Sequence, residues 1–396
     1  MIRSLTFTNF LSFGREPTTL TLGRMNLLIG PNASGKSNLV RGLRLLNAVP
    51  VSFMDSVREG GSQDWSHKAA KGTTIPRLQI ALDLQVEDAP SEPYEYRIAF
   101  DAADPAKPAV AEEVLVRQGD GKIMLENRRG AGTADQMSDS PATKERVAGT
   151  WAFDRMDAYA PFLQQVRSPR NYPTQGAMAE ALQRWAFYGD TRLQAPEGAA
   201  ILQRTDLRSD RLMEDGSNLA ALLHERGSVD PFRDRLREAM QGIYDDYRDF
   251  HVKIIQPGFL QLVVSEKRKW GQVQIPATRL SSGTLGVLKL FAILADPSPP
   301  PLIVLEEPEV GLHPDAIVTL ARLLKDAATR TQLIVTTHSE ALVDAFSETP
   351  EDVVICERKS ATTSLIRLNR RKLAAWLKEY SLGSLWLRGD LGGTRW

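Results

Sequence analysis

The sequence has little cysteine and no long apolar run, and these absences exclude several classes of protein. The 396 residues include one cysteine, Cys356, which excludes a disulfide-stabilised scaffold and a cysteine-based zinc site and agrees with a reducing cytosol. No apolar run approaches the roughly 18 residues that a membrane span requires. The N-terminal run MIRSLTFTNF lacks the apolar core of a signal peptide. We therefore expect a cytoplasmic protein without a membrane partner.

The chain also lacks an excess of either charge. There are 49 Lys+Arg and 49 Asp+Glu residues, so no overall basic field draws the protein towards nucleic acid, and any such contact must be a local patch. No internal repeat and no sustained heptad pattern is present. The composition, 42% apolar and 25% charged, suffices for two or three globular lobes.

The hydrophobic pattern divides the chain into four segments. Residues 1–147 begin with a strand, a loop and a helix, and then contain the strand-like runs RLQIALDLQV, YEYRIAF and EEVLVRQ, which predict an antiparallel side sheet. Within this segment, the polar stretch 127–145 is predicted to be a mobile loop. Residues 148–250 carry helical patterns and predict a helical lobe. Residues 251–356 alternate apolar strands with helices, which is typical of an α/β sheet buried on both faces, and a basic tail occupies 357–396.

The run GPNASGKS fits the phosphate-loop pattern G-x-x-x-x-G-K-[S/T]. Its glycines allow the backbone to curl so that successive N–H groups face phosphate oxygens. Lys36 supplies a positive charge for the β and γ phosphates, Ser37 supplies a hydroxyl ligand for Mg²⁺, and the helix that begins at Lys36 adds its positive end. An ordinary glycine-rich turn is the alternative. The predicted nucleotide-binding residues of this loop are Gly30, Pro31, Asn32, Ala33, Ser34, Gly35, Lys36, Ser37 and Asn38.

A second anion-binding pattern precedes an almost wholly apolar helix about 240 residues later. The run RLSSGTLG places Ser281, Ser282, Gly283 and Thr284 at the N-terminus of that helix, where hydroxyls and backbone N–H groups suit an anion. A common helix N-cap without any ligand is the alternative interpretation.

Two adjacent carboxylates follow the apolar strand in PLIVLEEPEVGLHP. Open α/β sheets bind ligands at the carboxyl ends of their strands, and two neighbouring acids repel each other there unless a cation lies between them. We therefore assign Glu306 to the Mg²⁺ shell and Glu307 to the orientation or deprotonation of an attacking water. A strand-end turn with two solvated acids is the alternative.

His338 ends a further apolar strand, in TQLIVTTHSEAL. A lone histidine more often has a structural role than a catalytic one. At the end of a strand in this order, however, its side chain can reach the γ-phosphate. We therefore include His338 among the predicted catalytic residues, with Glu307.

These four segments, in this order, resemble an ABC-type ATPase. The resemblance assigns the Walker A motif to residues 30–37, the signature to 281–284, the Walker B motif to 302–307, the D-loop to 311–314 and the switch histidine to His338. The runs FTNFLSF, EEPEVGLHP and TTHSEAL are similar to those of RecF/SMC-like ATPases, in particular the ATPase half of overcoming-lysogenization-defect (OLD) proteins and related bacterial defence ATPases. Phe187, Tyr188 and the run DGSN at 215–218 resemble further, weaker marks of that group.

The sequence departs from the family pattern at several positions. The signature is LSSGT rather than LSGGQ, and Glu306 stands where most members have aspartate. Leu11 stands where many relatives carry arginine. Gln63 is the candidate for the Q-loop, with a surface turn as the alternative.

The resemblance implies an ABC-type P-loop NTPase fold, with a mixed sheet, an antiparallel β side sheet and an inserted helical lobe. It also implies ATP and Mg²⁺ as ligands. Because the signature of one ABC subunit closes over the nucleotide bound by another, it implies a homodimer or a higher assembly of dimers.

The biological role has three candidates. OLD-type proteins continue into a TOPRIM nuclease domain, whereas this chain ends about 58 residues after His338, fewer than such a domain requires. We therefore expect a sensor or clamp subunit that controls a separately encoded effector, a nuclease by this resemblance, in phage defence. The alternatives are a RecF-like DNA-repair clamp that binds DNA directly and an ATP-dependent scaffold with little turnover.

The basic tail allows either of two interpretations. It holds nine Lys/Arg against three acids, a net charge of +6, interleaved with Trp376, Trp386 and Trp396. Such a patch suits nucleic acid or an acidic partner. The alternative is a solvated helix face with tryptophans packed on the core.

Overall fold

The computed structural model describes residues 1–59, 61–68, 75–101, 104, 107–139, 146–166, 168–189, 202–229 and 231–392. The strands in this part of the chain are β1 (Ile2–Thr8), β2 (Thr18–Thr21), β3 (Met25–Ile29), β4 (Arg77–Leu84), β5 (Glu92–Asp101), β6 (Ala109–Arg117), β7 (Ile123–Arg128), β8 (Ala131–Asp139), β9 (Arg146–Phe153), β10 (Ala186–Gly189), β11 (Gln203–Arg204), β12 (Tyr247–Gln256), β13 (Phe259–Arg268), β14 (Gly271–Pro276), β15 (Leu302–Glu306), β16 (Gln332–Thr336), β17 (Val353–Lys359) and β18 (Thr362–Arg367).

The α-helices of the described residues are α1 (Lys36–Ala48), α2 (Phe53–Glu59), α3 (Phe162–Gln165), α4 (Pro173–Gln183), α5 (Leu219–Arg226), α6 (Phe232–Gln241), α7 (Ser282–Ala295), α8 (Pro314–Ala327), α9 (Glu340–Asp344), α10 (Arg370–Leu373) and α11 (Leu382–Leu387). Short 3₁₀ helices occur at Ser62–Trp65, Ala277–Arg279, Pro350–Asp352 and Trp376–Lys378. Within the described ranges, no helix is both long and apolar enough to cross a lipid bilayer.

A six-stranded sheet forms the centre of the fold, in the order β10-β15-β16-β3-β17-β18. All neighbouring pairs are parallel except β17 and β18, which are antiparallel, so the sheet is mixed as predicted. Leu27 and Ile29 of β3 pack into one hydrophobic cluster, together with α7, whereas Leu28 packs into a second cluster with α1. Both faces of the sheet are therefore buried, as the continuous apolar runs indicated.

The antiparallel side sheet is also confirmed, and it is larger than predicted. Its order is β2-β1-β4-β5-β6-β7-β8-β9. The predicted mobile loop over 127–145 is wrong for the described residues 127–139, because β8 pairs with both β7 and β9. Arg129 and Gly130, at φ 51° and 87°, form the two-residue turn between β7 and β8. β8 reads AGTADQMSD and has no apolar alternation, so backbone pairing rather than side-chain pattern defines it.

A small third sheet lies between the helical region and the signature segment. β13 pairs with β12 from Phe259 to Glu266, and its other edge pairs with β11 and then with β14. β14 leads through the 3₁₀ helix Ala277–Arg279 directly to α7. The third sheet therefore sets the entry of the chain into the signature helix.

The predicted helical lobe, 148–250, contains α3 to α6 but is not purely helical. It begins inside β9, and β10 within it belongs to the central sheet, where Phe187 pairs with Val304 of β15. The four residues of β10 are too few for a strand pattern to be recognised between helical segments. The boundaries of the four predicted segments stay predictions.

The predicted basic tail, 357–396, is not a separate tail over its described residues. It begins inside β17 and includes β18, both strands of the central sheet. Trp386 of α11 is 2% exposed and lies in the core, as the packing alternative stated, whereas Trp376 is 48% exposed on the surface. Trp396 lies outside the described residues.

Candidate nucleotide site

The phosphate loop joins β3 to α1, as predicted from GPNASGKS. Gly30 and Gly35 have φ of 148° and 109°, which side-chain-bearing residues rarely adopt. A Cβ atom at Gly30 would lie 2.2 Å from the carbonyl oxygen of Cys356, and one at Gly35 would lie 2.2 Å from the hydroxyl of Thr363. Both glycines are therefore required by close approach as well as by backbone conformation.

Lys36 begins α1 and is 6% exposed. Its Nζ donates to the carbonyl oxygens of Gly30 (2.7 Å) and Pro31 (3.1 Å), so the ammonium lies inside the curl of the loop. Burial lowers the pKa of Lys36, and the nearby Cys356, Glu307 and Glu309 oppose that shift. A cation enclosed in this way is suited to an anionic ligand.

The hydroxyl of Ser34 gives a second indication that the loop fits a ligand. Its Oγ is buried and has no hydrogen-bond partner in the structure. Unpaired buried polar groups are costly, and a phosphate oxygen could satisfy this one. Because α1 also directs its N-terminal N–H groups into the loop, the residues present fit a nucleotide phosphate.

Side chains from both ends of the chain support the loop from behind. The Thr363 hydroxyl donates to the carbonyl oxygen of Ser34 (2.9 Å) and lies 2.7 Å from Ser12 Oγ, which accepts a bond from Asn38 Nδ2 at 2.8 Å. Ser12 and Thr363 are buried. Neither residue was predicted from the sequence, because no local motif marks them.

Glu306 ends β15 and is paired with an arginine. Its Oε1 lies 3.7 Å from Nη2 of Arg44 on α1. Burial raises the pKa of Glu306, and the charge of Arg44 opposes that shift. The cation expected beside the two acids is therefore present in the chain itself, in addition to any metal ion.

Among the described residues, no group of three or more His, Cys, Asp or Glu side chains is arranged to hold a metal ion. The predicted Mg²⁺ ligands are one hydroxyl, Ser37, and one carboxylate, Glu306. Both line the same cavity, and phosphate oxygens would have to complete the coordination shell. This donor set fits Mg²⁺ held together with a nucleotide.

Glu307 follows Glu306 in the chain and faces His338. Its φ of 49° is unusual for a non-glycine residue, and its backbone N–H donates to the carbonyl oxygen of Thr336 (3.0 Å). Oε1 of Glu307 lies 3.4 Å from Nε2 of His338. The two predicted catalytic residues are therefore adjacent.

Glu309 holds the segment that carries the histidine. Its Oε1 accepts bonds from the Thr337 hydroxyl (2.5 Å) and from the backbone N–H of His338 (2.9 Å). Burial raises the pKa of this carboxyl, and the two bonds oppose that shift. Glu309 was not predicted from the sequence, although it is the third carboxylate in the run EEPE.

A cavity of about 260 Å³ connects these groups. It is lined by Asn32, Ala33, Ser34, Gly35, Lys36, Ser37, Asn38, Glu306, Glu307, Thr336, His338 and Arg358. Gly30 and Pro31 lie behind it, at the start of the loop. Arg358, which β17 places at the cavity, was not predicted, because its position there depends on the pairing of β17 with β3.

The signature residues lie apart from this cavity. Ser281 is the N-cap of α7, and its Oγ accepts a bond from the backbone N–H of Thr284 (3.0 Å), as the N-cap alternative stated. Ser281, Ser282 and Gly283 are exposed. Ser282 and Gly283 line a different cavity, of about 140 Å³, together with Gly311 of the D-loop and with Glu307. One chain therefore does not bring the signature onto its own phosphate loop.

The D-loop and the Q-loop candidate differ in position. Gly311 of the D-loop has a φ of 77°, and the neighbouring Val310 is 39% exposed. Gln63 lies in the 3₁₀ helix Ser62–Trp65, remote in sequence from any central strand. The C-terminal end of β10, in contrast, lies beside the candidate nucleotide site, because Gly189 is in register with Glu306. The residues that follow it, 190–201, lie outside the described part of the chain.

Comparison with known proteins identifies the family of the chain. Residues 25–156 and 159–344, well over half of the chain, match the family described as "AAA domain, putative AbiEii toxin, Type IV TA system". The chain belongs to this family. No curated protein matches the sequence significantly.

The chain is also similar to solved structures of SMC heads. An SMC head bound to the C-winged helix domain of ScpA has a TM-score of 0.57 at 13% identity, over 94% of this chain and 99% of that chain. The SMC head domain from Thermotoga maritima has a TM-score of 0.45 at 12% identity, over 93% and 99% of the two chains. The first of these similarities shows that the protein has the ABC-type P-loop fold of an SMC head. The finer resemblance to OLD proteins stays a prediction.

Proposed function

We propose that this protein binds ATP with Mg²⁺ at the phosphate loop, hydrolyses it, and works as a homodimer or an assembly of dimers in which each signature closes over the partner's nucleotide. The observation that carries this proposal is the position of the signature. Ser281 and Ser282 are exposed and lie off their own chain's cavity, which suits a contact made across a two-fold interface.

The side chains around the cavity have separate roles in binding the phosphates, activating water and holding Mg²⁺. Lys36 and the N-terminus of α1 bind the phosphates. Glu307 accepts a proton from the attacking water, and His338, 3.4 Å from it, holds the carboxylate and reaches the γ-phosphate. Ser37 and Glu306 would hold Mg²⁺, which when bound supplies positive charge to the phosphate oxygens.

Substitution of Glu307 tests this proposal. Glu307→Gln should bind ATP but release phosphate about 100-fold more slowly or worse, because the general base is lost. It should therefore accumulate as an ATP-dependent dimer, measured by size-exclusion chromatography with light scattering. Glu348→Gln, an exposed Glu-to-Gln change away from the cavity, is the matched control. Unchanged turnover would remove Glu307 from the mechanism, and an ATP-bound monomer would contradict the shared site.

We further propose that the ATPase controls a separately encoded effector. The family description names a toxin of a type IV toxin–antitoxin system, which supports a role in a system of several components. The exposed surface around Trp376 supports a partner contact, because the ring of Tyr380 lies 6.5 Å from it and the cations of α10 precede it. Phage defence, with a nuclease as the effector, is the role we favour.

The chain runs from this surface into α11, which packs beside the segment that carries His338. α11 packs on α9, which begins two residues after His338, and the backbone N–H of Gly383 donates to Asp344 at 2.5 Å. We therefore expect Trp376→Ala to weaken co-purification with the product of the neighbouring gene while ATP binding is kept. A fully active nuclease made of this chain alone would refute the effector model. Salt-sensitive, ATP-dependent DNA binding by the isolated protein would favour the DNA clamp instead.

A further inference from the structure

Two neighbouring carboxylates, Glu214 and Asp215, face cations from two different helices. Nη1 of Arg44 on α1 donates to Oε1 of Glu214 at 2.9 Å. Gly216, the next residue, packs against Lys289 of α7, because a Cβ atom there would lie 2.9 Å from Lys289 Nζ. Burial lowers the pKa of Lys289, and the charge of Asp215 opposes that shift. This pair of acids therefore lies between the phosphate-loop helix and the signature helix.

Arg44 also reaches the nucleotide cavity. Its Nη2 lies 3.7 Å from Oε1 of Glu306. Its guanidinium carbon lies 4.7 Å from the ring centroid of Phe187, which fixes the plane of the group. The planar fork of arginine can contact two carboxylates at once, which a single ammonium cannot do with the same geometry. Arg44 is thus shared between Glu306 and Glu214.

The loop that carries Glu214 is tied internally. Asn218 is fully buried; its Nδ2 donates to the carbonyl oxygen of Arg211 (2.8 Å), and its Oδ1 accepts from the backbone N–H of Met213 (2.8 Å). Gly216, at φ 69°, closes the turn against Lys289. Because the loop is held rigid, a displacement of Glu214 also moves the residues that contact Lys289 on α7.

We infer that Arg44 is a positioning residue that links Glu306 in the nucleotide cavity to the signature helix of the same chain through the loop formed by residues 211–218. The inference rests on the proposed function, since it requires that a nucleotide fills the cavity. When a ligand draws Glu306 away from Arg44, the guanidinium contacts Glu214 alone, and the 211–218 loop shifts. Because Ser282 lies about two helical turns before Lys289, the shift reaches the signature.

Hydrogen exchange within one chain tests this link. The background is Ser282→Arg, which places a bulky cation at the proposed interface, so that closure of the dimer does not obscure the response. ATPγS with Mg²⁺ should change amide exchange in residues 282–290 by about fivefold or more, the lower range of usual coupling between sites. Glu214→Gln should abolish this change, and Glu225→Gln, an exposed Glu-to-Gln change on α5, should keep it.

Fluorescent MANT-ATP separates the link from binding itself. Glu214→Gln should keep the Kd for MANT-ATP within about twofold, because it removes an ion pair that is about one-third exposed and lies outside the cavity. Arg44→Lys should lose the exchange response as Glu214→Gln does, since one ammonium cannot bridge both acids. Normal MANT-ATP binding with a full exchange response in Glu214→Gln would overturn the inference alone. A failure of the unmodified chain to bind MANT-ATP would overturn the proposed function, and the inference with it.

Discussion

Replacing Thr363 by valine would remove the hydroxyl that supports the phosphate loop from β18 while keeping the shape of the side chain. That hydroxyl contacts the carbonyl oxygen of Ser34 at 2.9 Å and the hydroxyl of Ser12 at 2.7 Å, and Thr363 is 1% exposed. Each such bond contributes about 0.5–1.5 kcal/mol, so the two together correspond to about 1–3 kcal/mol. Part of this loss should appear in the stability of the fold and part in the order of the loop.

Two measurements divide the loss between these effects. Urea unfolding gives the change in the free energy of unfolding, and a MANT-ATP titration gives the change in affinity, where about 1.4 kcal/mol corresponds to tenfold. Thr363→Ser keeps the hydroxyl and should recover most of the affinity. Thr362→Val, at the neighbouring position of β18, is the matched control.

One result would exclude a role of the Thr363 hydroxyl in supporting the phosphate loop. If Thr363→Val unfolds at the same urea concentration as the unmodified protein and binds MANT-ATP equally well, the hydroxyl does not support the loop. Equal losses in Thr363→Val and in Thr362→Val would indicate a general effect on β18 instead.

Three further predictions follow from buried or cavity-lining side chains. Lys36→Ala should lose nucleotide affinity without unfolding, because Nζ lies inside the loop, and tight MANT-ATP binding by this variant would contradict its phosphate-contact role. Glu113 is fully buried; burial raises the pKa of its carboxyl above 4.5, so its contribution to stability is complete below that pH and declines as pH rises through the raised pKa. Glu113→Gln cannot ionise, so the stability difference between the unmodified protein and this variant should shrink from pH 4.5 to 7 in urea unfolding, and a constant difference would exclude the effect. Trp386→Ala should cost about 3–5 kcal/mol because the indole is buried, whereas Trp376→Ala should stay within about 0.5 kcal/mol, both measured by urea unfolding.

The local motifs of the site could be predicted because each consists of neighbouring residues in the sequence. The phosphate loop needs glycine at two positions of positive φ and a lysine at the helix start, and these stand within eight residues. The carboxylates Glu306 and Glu307 follow a strand whose apolar run is unmistakable. Strand ends meet at one edge of a sheet, so His338 could be predicted to lie near them.

The supporting residues could not be predicted in the same way. Ser12 and Thr363 are 351 positions apart, and they meet where the loop after β1 of the side sheet contacts β18 of the central sheet. The sequence pattern predicts an ordinary exposed helix position for Arg44. Only the fold shows that its guanidinium lies over the ring of Phe187 in β10. β8 shows the same limit, since its pairing depends on its neighbours rather than on its own side chains.

The strand order of the central sheet has a consequence for synthesis of the protein. β3, which precedes the phosphate loop, lies between β16 and β17, so its two neighbours come from residues 332–359. While a ribosome is still translating the middle of the message, the loop has no sheet beneath it. Such late, non-local pairing favours slow folding, and a partly synthesised chain would lack the strands that support the phosphate loop.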